Sequence, residues 1–262
     1  MIHQYSVSES YSLENNSVVD EEGEMTLKYE NVSREQAIFA TKRLLVDTIW
    51  KMANIEIHKG ITFSEIAEVL SGKVPGNLNF DDALIVNNIK RSWNYLFEHI
   101  DAPISFSLIS EYNKILGGGG LIKNSGSLRD YSVIIGGSSY RPPMPKVDEV
   151  LNKLAYLNDI DDKVERGLSY FSDIAKGQWF NDGNKRTAAM VPNHYLVQQG
   201  IGILAMDVPT RAEFFDALIN YYESNDKTTY HKFLYENSFE LMPSGLKPPE
   251  VGWFYESDIN AK

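Results

Sequence analysis

The 262-residue chain contains no cysteine, which excludes disulfides, thiolate metal sites and a cysteine nucleophile and permits a reducing compartment. It also lacks any run of about 18 apolar residues, the length needed to cross a bilayer. The first 24 residues have no basic start and no apolar core, and are serine-rich and acidic instead, so they do not read as a signal peptide. Positive charge is in deficit: 25 Lys and Arg stand against 36 Asp and Glu, for a formal net charge of −11. A broad nucleic-acid surface needs clustered cations to neutralise phosphates, so that class of partner is disfavoured, while a local basic pocket stays open. The expectation is a cytoplasmic protein with neither a nucleic-acid nor a membrane partner. There is no internal repeat and no low-complexity tract.

What is present is an ordinary globular composition, 43% hydrophobic and 12% aromatic, in a chain long enough for one large domain or one domain with a helical extension. Residues 6–16 could form a short helix, followed by the acidic stretch Asp20, Glu21, Glu22 and Glu24, which reads as a solvated linker. From Arg34 the apolar residues Ile38, Leu45, Ile49 and Met52 fall on one helical face, giving a helix to about 59. Thr62-Phe63-Ser64-Glu65 has capping-box form and predicts a helix to about 70. Further helices are expected over 81–99 and 105–116. The glycine run 117–120 then breaks the pattern and reads as a flexible connector; no strand precedes it and Lys123 is followed by Asn124, so it is no nucleotide loop. Tyr131 to Tyr140, with Gly136-Gly137 at its centre, predicts a β-hairpin that ends at the prolines 142, 143 and 145. Helices return over 147–157, 161–176, 184–199, 210–223 and 227–237.

Between two of these helices lies Gln178-Trp179-Phe180-Asn181-Asp182-Gly183-Asn184-Lys185-Arg186-Thr187. The first N–H groups of a helix have no internal partner and its dipole favours an anion, so a loop entering a helix is predisposed to hold phosphate. Gly183 permits a tight turn, Lys185 and Arg186 add positive charge, and Asp182 supplies a hard oxygen for Mg²⁺. The competing reading is a plain turn and cap with a solvated Lys-Arg pair. Two cations in a first helical turn oppose the dipole unless an anion compensates, which favours the anion site.

This stretch resembles the Fic motif, commonly His-Pro-Phe-x-(Asp/Glu)-Gly-Asn-Gly-Arg-x-x-Arg, and in particular the Asn-Lys-Arg-Thr variant of the toxin Doc. The segment Val133-Ile134-Ile135-Gly136 with Tyr140-Arg141-Pro142-Pro143 resembles the flap that precedes the motif in that family. The likeness runs from about 105 to 237. It implies a mainly α Fic (Fido) helical bundle with a small β-hairpin flap, divided as an N-terminal segment 1–30, a helical extension 31–104, a Fic domain 105–240 and a tail 241–262. It also implies ATP and Mg²⁺ as cofactors and transfer of AMP to a hydroxyl of a target protein. On this resemblance Phe180 anchors the loop, Asp182 holds the metal, Gly183 and Asn184 form the anion hole, Lys185 and Arg186 contact phosphate, and Val133, Ile134 and Ile135 clamp the target as an added strand.

The sequence departs from the pattern in two places. Gln178 stands where the family has its catalytic histidine, and an amide does not titrate near neutral pH; none of the five histidines adjoins the motif, and each reads as structural or superficial. Ala189 stands where the family has a second arginine. Pro192, inside the following helix, predicts a kink. Many family members also carry (Ser/Thr)-x-x-x-Glu-(Gly/Asn) in an inhibitory helix. Ser10 to Asn15 fits, which makes Glu14 the expected inhibitor; Thr26 to Asn31, with Glu30, fits too. Two other functions stay open: a module that binds nucleotide or protein without transferring a group, and a Doc-like phosphotransferase. The target's identity and the oligomeric state, a homo-oligomer included, are not legible here.

Overall fold

The computed structural model describes residues 17–19, 25–27 and 30–243. The chain separates into two compact units, residues 1–30 and residues 31–262. In the first, β1 (Ser17–Val19) pairs antiparallel with β2 (Met25–Leu27), Val18 opposite Thr26. Thr26 and Leu27 are therefore strand residues, and the second candidate inhibitory pattern does not start on a helix. The expected helix over 6–16, with Ser10 and Glu14, lies outside the described residues.

The second unit is mainly α. Its helices are α1 (Arg34–Arg43), α2 (Leu45–Glu56), α3 (Phe63–Leu70), α4 (Phe80–Glu98), α5 (Phe106–Leu116), α6 (Val147–Asn158), α7 (Lys163–Gly177), α8 (Asn184–Gln198), α9 (Arg211–Ser224) and α10 (Lys227–Ser238). Three open with reciprocal capping boxes, Ser33 with Gln36, Thr62 with Glu65, and Asn79 with Asp82, each satisfying two otherwise orphaned N–H groups. The single helix expected over 34–59 is two, because the chain breaks at Leu44, whose ψ of 3° leaves the helical range. A small antiparallel sheet joins β3 (Gly202–Leu204) to β4 (Phe239–Leu241). The run 117–120 is a packed turn rather than a flexible connector. A Cβ on Gly117 would lie 2.6 Å from that of Ser125, and Gly119, at φ 73°, would meet Leu84 at the same distance.

α8 is the axis of the bundle, packed by α1, α2, α4, α5, α7 and β3. All but two of its residues are buried, although it carries Thr187, Asn193 and His194. Those polar groups survive burial because each is satisfied. Asn193 exchanges hydrogen bonds with the backbone of Leu204 at 2.8 Å in both directions and donates to the Ala189 carbonyl, tying α8 to β3. α8 continues unbroken through Pro192. Its first turn therefore emerges from the centre of the fold on a rigid support, and the loop 178–183 is held between it and α7.

Candidate functional site

The loop is closed by its own side chains. Asn184 accepts from the Phe180 N–H at 2.9 Å and donates to the Phe180 carbonyl at 2.8 Å, which joins the two ends of the turn. Phe180 is fully buried and stacks on Phe106 with ring planes 9° apart. From α5, the buried Asn113 donates to the Asp182 carbonyl at 3.0 Å and to the Thr187 hydroxyl at 3.1 Å. Gly183 is the N-cap of α8 at φ 72°, ψ 14°, and no side chain caps this helix. Its left-handed conformation is one glycine adopts without strain. The first N–H groups of α8 are thus left for a ligand or solvent.

Arg186 is the unusual member. Its side chain is 3% exposed, and Nε and Nη1 have no hydrogen-bond partner among the described residues. Nη2 reaches two carboxylates loosely, Glu56 at 3.5 Å and Asp182 at 3.7 Å. A charge-assisted pair normally closes to about 2.7–2.9 Å, so the guanidinium is incompletely neutralised. Asp182 is the exposed corner: one oxygen accepts from the Gly183 N–H and the carboxylate faces outward, 61% exposed. Lys185 is half-buried on the same turn. Buried arginine donors and uncapped helical N–H groups lie together at one helix start, with Lys185 on the same turn. The Asn184 side-chain amide is engaged in closing the loop.

Among the described residues no group of three or more His, Asp and Glu side chains could hold a metal ion by itself. Asp182 nevertheless fits Mg²⁺, which is commonly bound through one carboxylate, substrate phosphates and water.

Gln178 terminates α7 in the left-handed region, at φ 45° and ψ 54°. Its side-chain amide donates back to the Ala175 carbonyl at 2.7 Å. That contact caps the helix end with the amide nitrogen of the side chain. Among the described residues, the two buried histidines are engaged elsewhere in the bundle. His194 is fully buried between the Tyr112 hydroxyl, 2.6 Å from Nδ1, and the Ala102 carbonyl, 3.2 Å from Nε2, and burial pushes its pKa down to about 4. His231 sits between Glu165 and Ser172 in a buried contact of α7 with α10.

The segment 131–140 turns at Gly136-Gly137, where the Ser138 N–H meets the Ile135 carbonyl at 3.3 Å. Its arms make no ladder, so the expected β-hairpin is an unpaired flap. Val133 and Ile135 face inward, half-buried, and Ile134 between them is 77% exposed. The tip is pinned to α9, where Glu223 accepts from the Ser139 N–H at 2.7 Å and from the hydroxyls of Ser138 and Ser139.

Two important residues escaped sequence reasoning. Glu56, at the end of α2, provides a carboxylate beside Arg186, whereas Glu14 and Ser10 lie outside the described residues. The inhibitory pattern misses Glu56 because Met52 and Ile57 stand where it requires Ser or Thr and Gly or Asn. Arg129 is buried beside the flap and has no signature in sequence at all.

Residues 103–196 match the family described as Fic/DOC. No curated protein matches the chain. Solved structures similar to it include Fic-1 (residues 134–508) from C. elegans, at 19% identity and a TM-score of 0.65, covering 78% of this chain and 66% of that one. A Fic domain containing signaling protein from Bacteroides thetaiotaomicron is similar at 18% identity and a TM-score of 0.62, covering 78% and 85%. A Fic family protein from Desulfovibrio desulfuricans follows at 16% identity and 0.58, covering 77% and 62%. The chain thus spans just under two thirds of the C. elegans chain, and at these identities the likeness is one of fold.

Proposed function

With residues 103–196 belonging to the Fic/DOC family, we propose that the chain binds ATP with Mg²⁺ on the loop 180–187 and transfers AMP to a hydroxyl of a target protein. The observation that carries the reading is Arg186, a buried guanidinium with two unpartnered nitrogens at an uncapped helix start. Burying such donors is costly unless something binds them, and a phosphate placed there would meet both the arginine and the helix dipole. Asp182 would hold Mg²⁺, which neutralises phosphate charge when bound. Lys185 would take a further phosphate oxygen. The flap would receive the target as an extended strand along Val133, Ile134 and Ile135.

In the transfer, the target oxygen bonds to the α-phosphorus, the bond from that phosphorus to the bridging oxygen breaks, pyrophosphate leaves, and the hydroxyl proton passes to solvent. A positioned general base typically contributes about 100- to 10,000-fold. Gln178 cannot supply it, so the chain is a slow transferase that works by positioning and charge. Glu56 restrains it further by occupying the neighbourhood of Arg186 that a phosphate would take. The second reading, a nucleotide-binding module without transfer, is favoured by the turning of the Gln178 amide onto Ala175.

The test is incubation of the wild type, Gln178→His, Glu56→Gly and the double variant with Mg²⁺ and ATP labelled separately at the α- and γ-phosphates. Protein-bound α-label, weak in the wild type and strongest in the double variant, is the expected result. Label from the γ-position alone would indicate phosphotransfer. Nucleotide binding with no label from any variant would leave the module, and absence of binding would sink both.

A further inference from the structure

We propose that a cavity between the base of the flap and α7 is a specificity pocket for an acidic side chain of the target, a glutamate or aspartate near the modified hydroxyl. The inference rests on the reading above, in which the flap carries a protein segment. The cavity measures about 260 Å³ and is walled by Tyr140 at the end of the flap, Trp179 at the entry to the loop and Tyr221 on α9. It is smaller than the roughly 300–1,000 Å³ of small-molecule clefts and suits a single side chain.

Its charge selects the occupant. Lys153, Asp173 and Lys176 line it. The Asp173 carboxylate serves two ammonium groups, Lys153 at 2.9 Å and Lys227 at 2.6 Å, the latter an ionic contact off the hydrogen-bonding direction. Glu149, also at the wall, is engaged by Lys146 at 2.7 Å. Lys176 makes its direct contacts with neutral groups, the Tyr221 carbonyl at 3.2 Å, Asn225 Oδ1 at 2.8 Å, and the faces of Tyr140 and Tyr221 at 4.9 and 4.8 Å, while Asp173, already shared by two other lysines, acts on it at longer range. Burial holds this ammonium below the usual lysine range, against the opposing pull of Asp173. The wall itself carries two lysines and two carboxylates, but with Lys146 and Lys227 pairing those carboxylates from outside it, four cations stand against two anions around the aromatic walls. A carboxylate entering it would gain a charge-assisted bond to Lys176 while its methylenes lay against the rings. A basic side chain would meet like charge.

The pocket is also in the right place. Gly177 and Trp179, which line it, flank Gln178, the position of the family's catalytic residue. An extended peptide advances about 3.3 Å per residue, so a hydroxyl over the loop and an acid in the pocket belong to near neighbours in sequence.

The experiment presents the full chain, without nucleotide, to short immobilised peptides that each carry one Thr, with Glu, Gln or Lys at varied positions around it. Wild type, Lys176→Gln and Arg186→Ala are compared. Glu peptides are expected to bind at least about tenfold tighter than their Gln counterparts, with the difference erased in Lys176→Gln and kept in Arg186→Ala. The last variant separates the pocket from the phosphate site: an acid preference in a wild type that takes no label in the transfer experiment above would sink the transfer reading and spare the pocket. Equal binding of Glu and Gln peptides, a preference that survives Lys176→Gln, or no peptide retained overturns the proposal. Should Lys176→Gln fail to fold, Lys176→Met, which keeps an apolar stem against Tyr140 and Tyr221, is read in the same way.

Discussion

The Nε of Arg129 donates to the main-chain carbonyl of Gln178 at 2.6 Å. The same guanidinium holds the carbonyl of Tyr131 at 2.7 Å, that of Pro142 at 3.2 Å, and that of Pro143. Both arms of the flap and the left-handed residue at the head of the loop therefore hang on one side chain, itself only 2% exposed. The backbone reinforces the link, since the Arg129 N–H meets the Trp179 carbonyl at 2.9 Å and Leu128 bridges Phe180. Flap and loop are one mechanical unit.

Replacing Arg129 by Met should leave these carbonyls, of which that of Pro142 is buried and the others partly so, without their donor and cost about 3 kcal/mol of stability. Lys should recover only part of it, because a single ammonium cannot fork to four acceptors. Urea unfolding of the three proteins checks this, and an unchanged midpoint in Arg129→Met would mean that the flap does not depend on the guanidinium.

Asn184→Ala should open the loop. Two hydrogen bonds to Phe180 are lost and the buried Phe180 N–H and carbonyl are orphaned, a cost of about 2 kcal/mol. Because the substitution leaves Arg186 and Lys185 in place, it separates shape from charge. ATP affinity measured by calorimetry should fall at least about tenfold, and a full-strength affinity would show that the arginine alone makes the site.

Most helices were legible because their ends carry chemistry: Thr62 with Glu65, or Gly177 ahead of the loop, mark a start or a stop by residue type. The break at Leu44 has no such mark, since neither glycine nor proline stands there and the apolar face runs on through it. β3 and β4 are three residues each, too short for a period-2 pattern to emerge. The Gly136-Gly137 turn was readable, but whether its arms pair depends on Glu223 and Arg129 from elsewhere in the chain. The loop 178–187 could be read because its residues are contiguous. Glu56 and Arg129 reach it only through the fold, 130 and 49 positions from their partners Arg186 and Gln178.

Glu56→Gln keeps the side chain's shape and removes its charge. The contact with Arg186 is long and the carboxylate is 21% exposed, so stability should change by less than about 1 kcal/mol. Nucleotide binding should respond more, because a phosphate then enters without displacing a like charge. A gain of about tenfold in ATP affinity is expected by calorimetry. An affinity no higher than wild type would remove Glu56 as a restraint.

His194 gives the chain an acid sensitivity unconnected with its site. A carbonyl can only accept, so Nε2 carries the proton toward Ala102, and Nδ1 accepts from the Tyr112 hydroxyl. A second proton on Nδ1 would break the latter bond inside a fully buried contact. Burial accordingly lowers the folded pKa from 6.5 to about 4. As pH falls through that interval the unfolded chain takes up a proton that the folded chain refuses, so stability is intact above about 6.5 and falls steadily to pH 4, by about 3 kcal/mol from this group. Urea midpoints across the interval should decline in the wild type, and His194→Gln, less stable at pH 7, should show a flatter profile over the same range. Parallel declines in the two proteins would assign the acid sensitivity to other groups.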